Sequence, residues 1–294
     1  MTLQRKIKYP ALYEAASALS ADSQSGYLNS IKSEYALLLI AAILSVGFSN
    51  SRIYFVIYAL VFVGTLILLL WRSKEKPEQD WYKGRALAES IKTSTWRYCM
   101  RASPFEDVPK VQIRRAEFRN YLNGILDANK LIGHKLPPER ADEDQVTPEM
   151  EKIRALSLHD RREFYLEHRI KEQRTWYRNK ALYNKRASRR WVQAGVTVYG
   201  LAILIVLLRI AYPDWGLWPI DPVIVLASSI IGWMQIKKFN ELTSAYTLTA
   251  FEIGIIQGKA SEAMTEPEFA DFVKEAEQAF SREHTQWAAR QEAA

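Results

Sequence analysis

The sequence predicts an all-α membrane protein with four transmembrane helices in two hairpins and long cytoplasmic helical stems. Three observations predict it. Tyr35–Phe48 and Ile53–Trp71 are uncharged apolar runs on either side of the polar break Ser49-Asn50-Ser51-Arg52. The chain then repeats the device, with apolar Trp191–Ile210, the bend YPDWGLWPIDP, and apolar Val223–Ile236 stopped by Lys237-Lys238. Finally, 28 of the 40 Lys and Arg lie between Arg72 and Arg190, while the two short turns hold Arg52 in one and none in the other.

A bilayer core takes roughly 20 apolar residues, or somewhat fewer with snorkelling flanks. The alternative, a hairpin buried in a soluble protein, is disfavoured because Ile53–Trp71 has no polar stripe for a solvent-facing side. A mean hydropathy just below zero averages four apolar segments with strongly charged sequence, so the segments decide the class. Basic loops stay on the cytoplasmic side, which places both termini and the middle region inside; Arg5, Lys6, Lys8 and Lys32 agree. Tyr212, Trp215 and Trp218 in the second bend, with Trp71 and Trp191 at inner ends, fit an interfacial aromatic belt. The lone Cys99 leaves no internal disulfide and fits a reducing compartment.

Three divisions follow: a first hairpin unit over 1–131, a linker over 132–149 and a second hairpin unit over 150–294. From Ala11 to Lys32 the pattern reads as a short amphipathic helix, an interruption near Ser23–Gly26, and a second helix running into the first span. That span has only 14 residues, roughly 21 Å of helix, and needs the stem from Leu28 onward or a thinned bilayer. The fourth is equally short, and its expected extension is the continuation Lys237–Gly258. Pro77 opens an amphipathic helix with Trp81, Ala88, Ile91, Thr95 and Tyr98 near one face, ending before Ser103-Pro104.

Residues 102–110 form a loop, and Val111–Leu131 is a helix with Phe118, Leu122, Ile125 and Leu126 on its apolar side. The stretch 132–149 holds three prolines and an acidic cluster without periodicity. Met150–Arg190 reads as one long basic helix leading into Trp191. The tail from Glu262 is acidic and helical, with Phe269, Phe272, Val273, Ala276 and Phe280 on one side. Between Phe239 and Ala294 there are ten Asp and Glu against four Lys and Arg, so docking on the basic middle region, within or between subunits, stands beside a merely solvated tail. The two halves repeat a plan rather than letters, as a parallel repeat about an axis normal to the membrane.

Enzymatic chemistry is not expected. No dinucleotide fingerprint, phosphate-binding loop or zinc-protease motif occurs. His134, His159, His168 and His284 lack metal-ligand spacing, and His159-Asp160 is a two-letter match that chance supplies. No metal or other cofactor is expected. Cys99 sits among aromatic and basic residues that lower a thiol pKa, yet a packed small side chain is the simpler reading. The cluster Lys185-Arg186-Ala187-Ser188-Arg189-Arg190 reads as a positive-inside anchor touching anionic lipid. Arg174, Trp176, Tyr177 and Arg178 interleave as a nucleotide site needs, and a helix packing face explains them as well. Within the spans, Ser45, Gly47, Ser228, Ser229 and Gly232 mark either a close-packing face or a pore lining, and no charge sits mid-segment.

The segments RALAESIKTSTWRY (Arg85–Tyr98), HRIKEQRTWYRNKALYNKRASRRW (His168–Trp191) and AYTLTAFEIGII (Ala245–Ile256), each beside a hairpin, resemble the SLATT family of bacterial membrane proteins, the SMODS and SLOG-associating two-transmembrane effector domains. The chain resembles two such units in tandem. The resemblance implies an antiphage effector in the inner membrane that oligomerises and permeabilises the bilayer when a partner sensor or a cyclic oligonucleotide activates it, without a nucleic acid polymer as partner. It brings no catalytic residues. Arg85, Glu89, Lys92 and Trp96 in the first unit, and Trp176, Tyr177, Lys180 and Asn184 in the second, match its recurrent positions and are assigned to stem packing or coupling. The competing class is a membrane-anchored scaffold or ligand sensor without conduction.

Overall fold

A computed structural model describes residues 7–106, 110–260 and 264–292; of Leu131 and residues 282–292 only the backbone is described. The described residues form helices, turns and loops, with no strand among them. In order these are α1 (Ala11–Leu44), α2 (Arg52–Glu75), α3 (Pro77–Met100), α4 (Val111–Ala128), α5 (Lys130–Gly133), a 3₁₀ turn (Pro138–Arg140), α6 (Pro148–Arg154), α7 (Leu158–Tyr165), a π-helical segment (Leu166–Lys171), α8 (Glu172–Ala211), α9 (Ile220–Lys237), α10 (Phe239–Lys259) and α11 (Glu266–Glu292). Apolar stretches long enough to cross a membrane lie in α1, α2, α8 and α9, and the chain is an all-α, multi-pass membrane protein.

The chain divides into two compact units that interleave along the sequence. One, the stem unit, is Met1–Ser25, Pro77–Trp176 and Thr249–Ala294; the other, the span unit, is Gly26–Lys76 and Tyr177–Leu248. Arg5, Lys6 and the start of the acidic tail at Glu262 lie outside the described residues.

In the stem unit α3 is the hub. Leu87, Ala88, Ile91, Thr95, Trp96, Tyr98, Cys99 and Met100 are all buried, so its second half is enclosed rather than amphipathic, while Trp81 is only half-buried. Gly84 is required there, because a Cβ would lie 3.1 Å from Ser20 N and 3.3 Å from the Ala16 carbonyl oxygen of α1. Phe118 and Leu122 of α4 are buried, and the Phe118 ring packs on Tyr98 at 4.7 Å and Phe105 at 5.4 Å. The tail helix α11 packs on α3 through Phe269, Phe272, Val273, Ala276 and Phe280. As far as Phe280, α11 thus packs on α3 by an apolar face.

Several boundaries differ from the sequence reading. α1 runs unbroken through Ser23–Gly26. The expected helix Met150–Arg190 is interrupted at Ala155–Ser157, where the Ser157 hydroxyl accepts from Asp160 N at 3.2 Å and starts a new helix. The stretch 132–149 is tied down, since Ala11 N donates to the Asp144 carbonyl at 3.3 Å and the Thr147 hydroxyl to that of Lys8 at 2.8 Å. Thr147 also caps α6, with Pro148 in its first turn.

In the span unit the first apolar helix ends at Leu44, not Phe48, and the fourth begins at Ile220. α9 does not continue into α10 as one helix, because Lys238 takes φ 46° and its N–H closes on the Met234 carbonyl at 3.0 Å. Lys76 ends α2 the same way, with φ 48° and its N–H on the Arg72 carbonyl. The second and fourth spans thus end on the same left-handed lysine joint. Side-chain contacts join α1 to α2, α1 to α9, and α8 to α9. The Leu44 carbonyl accepts from the Tyr54 hydroxyl and Glu34 pairs with Arg72; Ser45 meets Asp221 and Lys32 lies 5.8 Å over Trp233; Trp191 meets Trp233 at 6.3 Å. The apolar stretch of α1 is 28% buried, against none of that in α2 or α8.

Candidate functional site

Among the described residues no cluster of His, Cys, Asp or Glu is arranged to hold a metal ion. What the stem unit contains instead is a buried charged network. Arg154, Arg161 and Arg169 are all at most 2% exposed, and Glu277 is fully buried. Such charges are tolerated inside a protein only when paired and hydrogen-bonded. Arg169 Nε donates to Glu277 Oε1 at 2.8 Å and Nη2 to Oε2 at 2.6 Å, a two-pronged pairing, and the Tyr165 hydroxyl donates to Oε1 at 2.9 Å. Its guanidinium lies 6.0 Å from the Trp96 ring and 4.8 Å from that of Phe280. Trp96 Nε1 in turn donates to the Tyr9 hydroxyl at 3.0 Å.

Arg154 Nη2 donates to the Phe105 and Glu106 carbonyls at 2.9 and 3.1 Å, and Arg161 Nη1 to the Met100 carbonyl at 3.0 Å. Arg154 Nη1 also donates to the Tyr98 carbonyl, so these two arginines satisfy carbonyls freed where α3 ends as well as those of the loop that follows, and Arg161 also pairs with Glu266 at the start of α11.

Electrostatics follow burial. Desolvation raises the Tyr9 phenol pKa despite Arg169 nearby, and pushes Tyr13 up to about 12. Tyr165 is raised by burial and then by the Glu277 charge. Burial works against the Arg169 cation, yet Glu277 outweighs it and its pKa rises. Lys92 is lowered by desolvation and then by Arg169. Burial pushes the Cys99 thiol up, and a fully enclosed, protonated thiol is a packing group rather than a nucleophile.

Arg85, Glu89 and Lys92 are half-buried on α3, and Trp96 is buried at 1% exposed. Trp176 is 39% exposed. In the span unit Tyr177 is buried against Tyr246 with rings 5.7 Å apart; Asn184 is buried and donates to the Lys180 carbonyl at 2.8 Å, while Lys180 is exposed. Residues 85–96 and 176 lie in the stem unit and 177–184 in the span unit.

Of the small polar span residues, Gly232 is a close-approach position, because a Cβ would overlap the Tyr35 hydroxyl and lie 3.1 Å from its Cζ. Gly47 is not: it lies past α1 at φ 84°, in a turn where a Cβ meets nothing within 4 Å, so its role is backbone freedom. Ser45 likewise follows the helix end and lies 2.8 Å from the Ala42 carbonyl and 3.3 Å from Asp221 Oδ2. The Ser229 hydroxyl donates back to the Val225 carbonyl at 2.8 Å. Ser228 is exposed, on a stripe with Ile224, Ile231 and Gln235 that lies about a quarter-turn around α9 from the buried Val223, Ala227 and Ile230.

The sequence reading missed the arginine network. Helical spacing gave only a weak signal: α11's apolar face runs 269, 272, 273, 276, 280, and position 277 falls just beyond its edge, one turn after Val273.

Residues 10–162 match the family model described as SMODS and SLOG-associating 2TM effector domain 3, and residues 165–287 match that of SMODS and SLOG-associating 2TM effector domain 1. Searches of curated proteins and of solved structures gave no match.

Proposed function

We propose that this chain, which belongs to the SLATT family of SMODS and SLOG-associating 2TM effector domains, is a non-enzymatic membrane effector of a bacterial antiphage defence system. It sits in the inner membrane as two hairpins, α1–α2 and α8–α9, with both termini in the cytoplasm. Several copies assemble and permeabilise the bilayer when a partner sensor or a cyclic oligonucleotide acts on the stem unit. The name of the family supplies the effector role; the lysine- and arginine-rich stems support the orientation.

The observation that carries assembly is the outward stripe of α9. Ile224 and Ile231 are 52% and 43% exposed, and between and beyond them Ser228 and Gln235 are exposed as well. Lipid tails offer a serine hydroxyl or glutamine amide no partner, whereas another protein surface or a water-filled lumen does. The stripe therefore supports a contact between copies or a pore wall. Expression together with the cognate defence system, read by a potential-sensitive dye, tests the reading: loss of membrane potential on activation is expected, and an intact potential in the activated state overturns it in favour of an anchored scaffold.

A further inference from the structure

A groove of about 470 Å³ runs along α8 just before its apolar run, lined among the described residues by Asn179, Leu182, Tyr183, Arg186, Arg190 and Trp191. Arg186 and Arg190 are one helical turn apart on the same face, both exposed, and neither makes an ion pair among the described residues. We propose that this groove is a binding site for the headgroup of an acidic phospholipid. The ligand chemistry is a phosphodiester with no cation in the same headgroup to neutralise it. The two guanidiniums offer forked donors suited to its oxygens, and no carboxylate stands among the lining residues to compete.

Depth decides for lipid over a soluble phosphate ester. Trp191 opens the apolar run, and at the helical rise Arg190 and Arg186 stand about 1.5 and 7.5 Å beyond it along the axis. The headgroup layer on each side of a bilayer is about 5–8 Å thick, so both arginines stand within or at the edge of it. Trp191 and Tyr183 are amphipathic rings of the kind that settle at that depth. They are eight residues apart, about 12 Å, too far to sandwich one nucleobase. Leu182 supplies an apolar wall for the glycerol and upper acyl carbons. The site rests on α8 crossing the membrane and not on pore formation.

The test uses full-length protein in detergent, titrated with phosphatidylglycerol or phosphatidylcholine and read by native mass spectrometry. Arg186→Gln/Arg190→Gln is compared with Lys185→Gln/Arg189→Gln, which removes the same charge from neighbouring exposed positions outside the groove. The groove pair is expected to lower phosphatidylglycerol occupancy about tenfold and the control pair less than about twofold, with phosphatidylcholine binding unchanged. Cyclic di-AMP as competitor is expected to leave the bound lipid in place. Equal losses from both pairs, no loss from either, or displacement by cyclic di-AMP would each overturn the assignment.

Discussion

Replacing Glu277 with alanine is expected to loosen α11 from the stem unit. The carboxylate accepts two hydrogen bonds from Arg169, at 2.8 and 2.6 Å, and one from Tyr165 at 2.9 Å, all buried. Without it the guanidinium stays in a core whose other near neighbours are the Trp96 and Phe280 rings. Removing one partner of a buried ion pair costs about 3–5 kcal/mol. For a unit of about 170 residues each kcal/mol moves the melting temperature by about 2–4 °C, so the drop is about 6–20 °C. The double variant Arg169→Met/Glu277→Leu removes both charges and is expected to recover most of that loss, because apolar side chains of similar volume replace such pairs at little or no cost. Tryptophan fluorescence during heating of the detergent-solubilised chain reports the transition, with Trp96 beside the pair, and limited proteolysis reports release of α11. A drop below about 3 °C in the single variant, or a double variant no more stable than the single, would refute the reasoning.

Gly26 and Gly84 are expected to respond oppositely to alanine. Gly26 lies inside α1 with open space around it, so Gly26→Ala should stabilise by about 0.5–1 kcal/mol, whereas Gly84→Ala presses on the α1 backbone and should destabilise by about 1–3 kcal/mol; melting temperatures of the two variants check both signs. Trp96→Phe keeps the aromatic contact with Tyr165 but loses the bond to Tyr9, at a cost of about 1–2 kcal/mol. If α3 couples stem to membrane, leakage should fall while oligomer size by light scattering is unchanged; parallel loss of both makes α3 only structural. Because burial raises Tyr13 from 10.0 to about 12, the folded state favours the neutral phenol; its contribution is complete below pH 10 and lost as pH rises toward 12. The melting temperature should fall over that window, with phenolate absorbance appearing late, and ionisation near pH 10 without loss of stability would contradict it.

The membrane segments were legible because an uncharged apolar run has few other uses, and α11's buried face was legible from spacing. What escaped were features decided by single backbone or side-chain interactions. Lys76 and Lys238 adopt a left-handed conformation that nothing about lysine announces, so the end of α9 was misplaced. The Ser157-x-x-Asp160 cap was written in the sequence, yet basic periodicity on both sides masked it. Gly26 suggested an interruption, but one glycine costs only about 1 kcal/mol inside a helix and did not break α1. Nothing in the sequence singles out Arg154, Arg161 and Arg169, because burying a cation depends on partners distant in the chain. Arg169 and Glu277 are 108 residues apart. The small-residue face was half legible: Gly232 meets another helix, and Gly47 belongs to a turn.

The central claim, that this chain opens membranes, is tested most directly by release of a trapped fluorescent dye from liposomes carrying the purified full-length protein and exposed to the partner sensor or cyclic oligonucleotide of its defence system. Release that depends on the trigger, rises with protein density and falls when Ser228 and Gln235 are both changed to leucine is the expected result; liposomes that stay sealed with the trigger bound would contradict it.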